Sequence, residues 1–280
     1  MTGPISTQTS MPETHRTNLE APPQGLTFSG ILLSEWIKLR SLRSTVWSFS
    51  IMIVLQIAIG VLVAFAISSS AGAGGALPVQ NAEVAVSVVI GGLAVGQLII
   101  AVLGVLIISG EYSTGQIRSS LTAVPTRLPV LWAKTIVFGV TTFVLSLISL
   151  LVTYVVTAPI LAGVGISASL LDEAVWPHLI GAAAYLAFIG VISLGLGAIV
   201  RSAAGGIAFS LGLLLVVPVV LALIPVTWVQ GLSNWLPSSA GGQLYFDLGV
   251  FEAWQAQLIM VGWMALSIGI AALLIKRRDA

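Results

Sequence analysis

Long apolar runs alternate with short polar segments along most of the chain. Six of these runs are long enough to cross a bilayer, because a transmembrane helix needs about 20 mostly apolar residues. They cover residues 46–68, 84–108, 128–157, 177–200, 204–225 and 253–275. Only Arg201, Ser202 and Ala203 separate the fourth run from the fifth, which predicts a tight turn there. The pattern predicts an all-α membrane protein with six transmembrane helices.

The first 27 residues lack this apolar pattern. They are rich in Pro, Thr, Ser and Gln, and they have neither the basic start nor the apolar core of a signal peptide. A segment of this composition cannot bury enough apolar surface to offset the entropy of an ordered chain. We therefore predict a disordered cytoplasmic tail over residues 1–27.

Residues 28–44, read as FSGILLSEWIKLRSLRS, are predicted to form an amphipathic helix that lies on the membrane surface. With about 3.6 residues per turn, one broad face of this helix collects Phe28, Ile31, Leu32, Trp36, Leu39 and Leu42. Lys38, Arg40 and Arg43 flank that face, where basic side chains can reach lipid headgroups. The segment is too short and too charged to span the bilayer.

Glu35 interrupts the apolar face of this helix. An acid at such a position needs a basic partner, because an unpaired charge is costly away from water. Two interpretations are open. Glu35 either pairs with Arg43 or with a basic residue of segment 110–135, or it forms a local Glu–Lys pair at a solvated helix end.

The positions of Lys and Arg predict the orientation in the membrane. If the chain crosses six times and both ends lie on one side, that side holds all 11 Lys and Arg residues. The opposite loops hold none of them and carry Glu83, Asp172, Glu173, Asp247 and Glu252. Because cytoplasmic loops are enriched in Lys and Arg, the sequence predicts an N-in, C-in topology, with both termini cytoplasmic.

Two of the connecting segments have an informative composition. Residues 110–135 contain Glu111, Arg118, Arg127 and Lys134, and we predict a cytoplasmic segment on which a partner outside the membrane acts. Residues 226–252 are long, aromatic and free of basic residues, which suits a membrane–water interface. This extracellular loop either forms short or re-entrant helices that cap the outer end of the bundle, or it serves as simple interfacial anchoring.

Composition excludes several classes of function. Only 8% of the residues are charged and 57% are hydrophobic, whereas soluble domains are about a quarter charged. The chain has no cysteine, no Walker A sequence and no H-E-x-x-H sequence, and its two histidines lie far apart. The interiors of the six runs carry essentially no ionisable residue for ion coupling. We expect no enzyme, and no cofactor or metal on this chain.

Two motifs resemble those of a known family. They are S-E-W-x-K-L-R-S-x-R-S-T at residues 34–45 and G-E-Y-S-T-G-Q-I-R-S-S-L at residues 110–121. Together with six spans and a basic C-terminal end, they resemble the ABC transporter permeases of the type-2 exporter class found in actinobacteria. The resemblance covers residues 28–278. It implies a half-transporter that pairs with a second permease subunit, here expected to form a homodimer, and that docks a separately encoded ATPase in two copies.

The resemblance also implies roles for particular residues. Segment 28–44 would be the elbow helix, with Glu35, Trp36, Lys38, Arg40 and Arg43 close to the ATPase. Residues 45–280 would form the permease domain, in which the cytoplasmic loop 110–130 contains the coupling helix. The ATPase-coupling residues would be Glu111, Tyr112, Thr114, Gly115, Gln116, Ile117 and Arg118. The second and fifth spans would line a central cavity, with Gln97, Phe209 and Leu213 as wall residues.

The function implied is ATP-driven export by alternating access in a bacterial plasma membrane. An apolar, nearly charge-free cavity favours a lipophilic or amphipathic solute such as a drug, a peptide antibiotic or a lipid. ATP and Mg²⁺ would bind the ATPase, and no nucleic acid is expected as a partner. Two other functions stay open: a passive channel or facilitator, for which Gln56 and Gln97 are available, and a non-transporting membrane anchor for an ATPase.

Overall fold

The computed structural model describes residues 27–72, 81–113, 128–166, 169–170, 172, 175–246 and 248–277. Within these ranges the chain is helical and contains no strand. Its elements are α1 (Phe28–Ser41), α2 (Arg43–Gly72), α3 (Asn81–Ile90), α4 (Leu93–Ser113), α5 (Leu128–Ala162), α6 (Trp176–Val200), α7 (Ala203–Leu211), a π-helical turn (Gly212–Val216), α8 (Val217–Ala222), α9 (Thr227–Ser233), α10 (Pro237–Gly242) and α11 (Ala253–Arg277).

Six helical stretches are long and apolar enough to cross a membrane, which confirms the predicted number of spans. The first is α2, the second is α3 with α4, and the third is α5. The fourth is α6, the fifth joins α7, the π-helical turn and α8, and the sixth is α11. Each helix forms its backbone hydrogen bonds within its own segment, which is the condition for crossing a hydrocarbon layer.

Contacts between spans show which of them run in the same direction. α2 and α5 are parallel, because Phe49 contacts Phe138 and Gly60 faces Thr153 further along both helices. α4 is antiparallel to α2, because Gly92, directly before α4, lies against Gln56 and Gly96 lies against Met52. α4 is parallel to α6, because Gly96 lies against Leu186 and Gly104 against Gly190. We call the end where α4 and α6 finish and α5 begins the basic end, because Lys134 and Arg201 lie there.

α6 is the central helix of the bundle, and it packs against α4, α5 and α11. Its contact with α4 is close because glycines face each other: a Cβ on Gly104 would lie 2.5 Å from the carbonyl oxygen of Gly190. The fifth span is the least buried of the six and exposes Phe209, Val216 and Val219. Such apolar faces suit contact with lipid tails or with another transmembrane helix.

Two spans depart from regular α-helix. The second span breaks at Gly91 and Gly92, and there the buried Gln56 donates a hydrogen bond to the carbonyl oxygen of Val89 at 2.5 Å. The fifth span contains the π-helical turn, in which the N–H of Val217 reaches the carbonyl of Gly212. Pro218 follows this turn and has no N–H of its own to continue an α-helical ladder, which is a recognised cause of helix distortion.

The predicted surface helix differs from the observed one in its ends and in its buried face. α1 ends at Ser41, and Arg43 already begins α2, so the segment 28–44 is divided between two helices. The residues of α1 that pack on protein are Ile31, Glu35 and Leu39. Phe28, Trp36 and Leu42 of the predicted apolar face are exposed instead, because α1 turns only a narrow stripe toward its neighbours.

The aromatic segment 226–252 forms two short helices, α9 and α10, as one of the two interpretations predicted. α10 packs against α6 and α11, where Gly241 lies against the ring of Tyr185. Trp228 and Trp235 are exposed. Anchoring of this segment at a membrane–water interface stays a prediction.

Candidate functional site

Four charged side chains from three helices form a cluster at the basic end, which we call the charge cluster. Glu35 and Lys38 come from α1, Glu111 from α4 and Lys134 from α5. The Lys134 ammonium lies 2.5 Å from Glu35 Oε2 and 2.9 Å from Glu111 Oε1. Lys38 lies 2.7 Å from Glu35 Oε1 and 3.4 Å from Glu111 Oε1. Each carboxylate thus contacts both ammonium groups.

Three members of the charge cluster are shielded from solvent. Glu35, Lys134 and Glu111 are 3%, 4% and 7% exposed, and Lys38 is partly exposed. Burial of a charge is tolerated only where an opposite charge and hydrogen bonds replace water. Two acids and two bases balance each other here, so the cluster as a whole carries no formal charge.

Local sequence explains how Glu35 reaches this position. Thr27 caps α1 by accepting a hydrogen bond from the N–H of Gly30. Residues four apart then share one face of the helix, so Ile31, Glu35 and Leu39 point the same way. Ile31 packs with Val130 and Ala133 of α5. Lys134 follows Ala133 in that helix and reaches Glu35.

The two interpretations offered for Glu35 are both partly correct. Its partner from segment 110–135 is Lys134, and it also forms the local pair with Lys38. Arg43, the other candidate partner, is exposed at the start of α2. Lys134 belongs to α5 and not to a connecting loop, because α5 begins at Leu128. The site set predicted from the sequence contained Glu35, Lys38 and Glu111 but omitted Lys134.

Burial is the largest single influence on the pKa of Lys38, and it opposes the charged form. The hydrogen bond and charge of Glu35, together with the charge of Glu111, outweigh burial and raise the pKa above its ordinary value of 10.5. Lys38 is consequently a firmly protonated member of the cluster. Its carbon chain also connects the buried acids with the exposed surface of α1.

A second contact ties the end of α4 to the end of α6. The Arg201 guanidinium lies 5.1 Å from the centre of the Tyr112 ring, a distance suited to a cation–π interaction. Arg201 has φ of 56°, and its N–H bonds to the carbonyl of Gly197 to close α6. The turn to α7 follows at once, with Ser202 as N-cap, which confirms the predicted tight turn. Sequence reasoning placed Arg201 in this turn but missed its contact with Tyr112.

A cavity of about 300 Å³ adjoins the charge cluster. All four cluster residues line it, and the rest of its wall includes Ser41, Ser44, Leu106, Ile107 and Val137. The cavity lies where α1, α2, α4 and α5 meet. A displacement of α1 relative to α4 would therefore change the cavity and the cluster together.

The other predicted coupling and elbow residues divide into two groups. Tyr112 lies in the last turn of α4 beside Glu111, and Trp36 and Arg40 are exposed on α1. The remaining coupling residues lie outside the described part of the chain: Thr114, Gly115, Gln116, Ile117 and Arg118. Within the charge cluster, Glu111 precedes this segment in the sequence and Lys134 follows it.

The three predicted wall residues do not share one environment. Gln97 accepts a hydrogen bond from the Tyr185 hydroxyl between α4 and α6. Phe209 is about half exposed on the fifth span, and Leu213 is partly buried in the π-helical turn of that span. A common cavity for these residues stays a prediction.

No group of three or more acidic or histidine side chains comes together among the described residues, so that part of the chain offers no obvious metal site. The charge cluster supplies two acids only, and both are engaged by lysines. Its chemistry is that of a buried ionic link between helices. In comparisons with known proteins, no family model matches the chain and no curated protein is similar enough to match it.

Proposed function

We propose that this chain is the membrane subunit of an ATP-driven exporter of the ABC type-2 class, with both termini in the cytoplasm of a bacterium. The single observation that carries the proposal is the charge cluster. It connects α1, the end of α4 and the start of α5 through buried ion pairs. In the proposed role, α1 is the elbow helix and the segment after Glu111 contacts a separate ATPase.

The physical argument concerns the transmission of force. A hydrocarbon contact between two helices resists sliding weakly, whereas breaking a buried ion pair costs about 3–5 kcal/mol. The pairs that Lys134 forms with Glu35 and Glu111 therefore favour a joint displacement of α1, α4 and α5. A push on the segment between α4 and α5 would then reach the elbow helix and both spans.

The energy source in this proposal is external to the chain. The charged residues of the six described spans lie toward the ends of those spans, and no described span interior holds an acid or base suited to ion coupling. ATP and Mg²⁺ would bind two copies of the partner ATPase, and two permease subunits would enclose the transport path. The substrate class proposed is lipophilic or amphipathic, in keeping with apolar spans.

The test is coupled ATPase activity in nanodiscs. The chain is co-purified with a candidate ABC ATPase, and wild type is compared with Glu111→Gln, which keeps the shape of the side chain and removes its charge. We expect the variant to retain the ATPase in the complex but to lose most of the stimulation of hydrolysis by the permease. Glu83→Gln, which changes an acid at the opposite end of the bundle, is the matched control.

Two outcomes would contradict this assignment in different ways. Normal stimulation in Glu111→Gln would show that the charge cluster does not transmit the signal. Failure of the wild-type chain to associate with any ATPase would remove the exporter function altogether. Solute flux through liposomes without an ATPase would then favour a channel, and docking without solute movement would favour a membrane anchor.

A further inference from the structure

The cavity beside the charge cluster joins an exposed apolar rim to buried charges. Its volume is about 300 Å³, at the lower end of the range of about 300–1,000 Å³ typical of small-molecule sites. Leu42 and Leu106 line it and are 48% and 39% exposed. Glu111 and Lys134 line it as well and are buried. A molecule that enters past the leucines therefore meets ionised groups inside.

One carboxylate oxygen of Glu111 is not engaged by the charge cluster. Both lysines contact the other oxygen, Oε1, which lies 2.9 Å from Lys134 and 3.4 Å from Lys38. Oε2 accepts no hydrogen bond from any residue that the structure describes. It is also not among the fully enclosed polar atoms that lack a partner, and 8% of the Glu111 side-chain surface is accessible. A donor inside the cavity can therefore reach Oε2.

The same lining offers positive charge and a hydroxyl group. Lys38 is the most exposed member of the charge cluster, with 37% of its side-chain surface accessible. Ser44 lines the cavity at the start of α2 and is exposed. Ammonium and hydroxyl groups both suit phosphate oxygens. Because groups of both signs line one cavity, it favours a ligand that carries both charges over a ligand that carries one.

The position of the cavity along the bundle matches the level of lipid headgroups. Glu111 lies in the last turn of α4, and Ser44 lies in the first turn of α2. Both helices belong to stretches long and apolar enough to cross a membrane, so their ends reach the membrane–water interface. The exposed rim at Leu42 and Leu106 then lies beside acyl chains.

We propose that this cavity binds a phospholipid with a phosphoethanolamine headgroup. The primary ammonium of the headgroup donates a hydrogen bond to Glu111 Oε2. The phosphate lies beside the Lys38 ammonium and accepts a hydrogen bond from the Ser44 hydroxyl, and the acyl chains leave the cavity between Leu42 and Leu106. The inference is independent of the exporter function, because it requires neither the ATPase nor a second subunit.

The test is lipid binding to the full chain in dodecyl maltoside, measured by native mass spectrometry. Phosphatidylethanolamine is compared with phosphatidylcholine and phosphatidylglycerol that carry the same acyl chains. The trimethylated nitrogen of phosphatidylcholine cannot donate a hydrogen bond, and phosphatidylglycerol has no nitrogen. We expect phosphatidylethanolamine to bind at least about tenfold more tightly than either, because its ammonium alone forms a charge-assisted hydrogen bond with Glu111.

Two variants locate the binding. Leu106→Trp fills the rim of the cavity without changing a charge, and Glu111→Gln removes the charged acceptor. Each is expected to lower the affinity for phosphatidylethanolamine to that for phosphatidylcholine. Leu258→Trp changes an exposed leucine of α11 that lies outside the cavity, and this matched control should bind as wild type does.

A soluble competitor separates a lipid from a free headgroup. Glycerophosphoethanolamine carries the same headgroup without acyl chains, and at equal concentration it should leave the lipid bound. Displacement of the lipid would show that the cavity takes a soluble zwitterion, and the lipid assignment would be wrong. Equal affinity for the three lipids, or an unchanged preference in Leu106→Trp, would overturn the proposal even if Glu111→Gln failed to fold.

Discussion

The Lys134 ammonium lies 2.5 Å from a carboxylate oxygen of Glu35, although 99 residues separate the two in the sequence. Both side chains are buried, and Glu111 contacts the same ammonium from a third helix. This arrangement makes Lys134 the central residue of the charge cluster. Its removal would leave two buried acids with Lys38 as their described cationic partner.

Lys134→Met should therefore destabilise the protein strongly. Loss of one member of a buried ionic group costs about 3–5 kcal/mol, because the remaining charge stays desolvated. The free energy of unfolding can be measured by titration with sodium dodecyl sulfate in mixed micelles. Lys276→Met, which removes an exposed lysine near the end of α11, is the control and should change that free energy by less than about 0.5 kcal/mol.

A triple variant separates the cost of unpaired charge from that of altered packing. Glu35→Gln and Glu111→Gln combined with Lys134→Met remove the buried acids along with the lysine. We expect the triple variant to be more stable than Lys134→Met alone, since neutral amides cost less to bury than carboxylates. A triple variant as unstable as the single one would show that shape, and not charge, determines the stability of this site.

The contribution of Lys38 to the stability of the folded protein should be lost at alkaline pH. Its pKa is raised in the folded protein, despite burial, by Glu35 and Glu111. A raised pKa means that the stabilisation is fully present below the ordinary value of 10.5 and is lost as pH rises through the folded value. The melting temperatures of wild type and Lys38→Met should differ below pH 10.5 and converge as pH rises through the raised pKa of Lys38. A difference that does not change with pH would contradict this account.

Gln56→Leu should loosen the break in the second span. The Gln56 amide donates to the carbonyl of Val89 where α3 ends, so the leucine variant leaves that buried oxygen without this donor. We expect a loss of about 1–3 kcal/mol in the free energy of unfolding. Hydrogen exchange of residues 88–96 should accelerate with it. Gln230→Leu, at an exposed position of α9, is the control and should leave both measurements unchanged.

Gly181→Ala tests how closely the segment after α10 packs on α6. The added methyl group would overlap the backbone carbonyl of Leu244, which cannot rotate away as a side chain could. Overpacking of this kind costs about 1–3 kcal/mol, and thermal unfolding in detergent should report it. Gly262→Ala on α11 meets no atom within 4 Å and should be neutral or slightly stabilising. Equal melting temperatures for the two variants would rule out the tight contact.

The six spans were predictable because hydropathy is a local property. Each run of about 20 apolar residues has to form its backbone hydrogen bonds internally when it leaves water, so length and composition suffice to locate a helix. The observed helices exceed the predicted runs by a few residues at most ends, as in α2, which begins at Arg43 and ends at Gly72. The turn at Arg201 was predictable for the same reason, since two apolar runs left only three residues between them.

The buried face of α1 was not predictable from its own sequence. Its apolar residues cover a broad face, and any part of that face could have met the bundle. Contact with Val130 and Ala133 of α5 selects Ile31, Glu35 and Leu39, and it leaves Trp36 exposed. The choice depends on the shape of a neighbouring helix that lies about 100 residues away in the chain.

The sequence by itself determined the number of spans, the segregation of basic residues and the need of Glu35 for a cation. Only the tertiary structure decided that Lys134 is that cation and that Glu111 shares it. It also decided that the Arg201 guanidinium lies over the Tyr112 ring. The physical reason is range. Hydropathy depends on each side chain and the solvent around it, whereas an ion pair depends on which helices pack side by side.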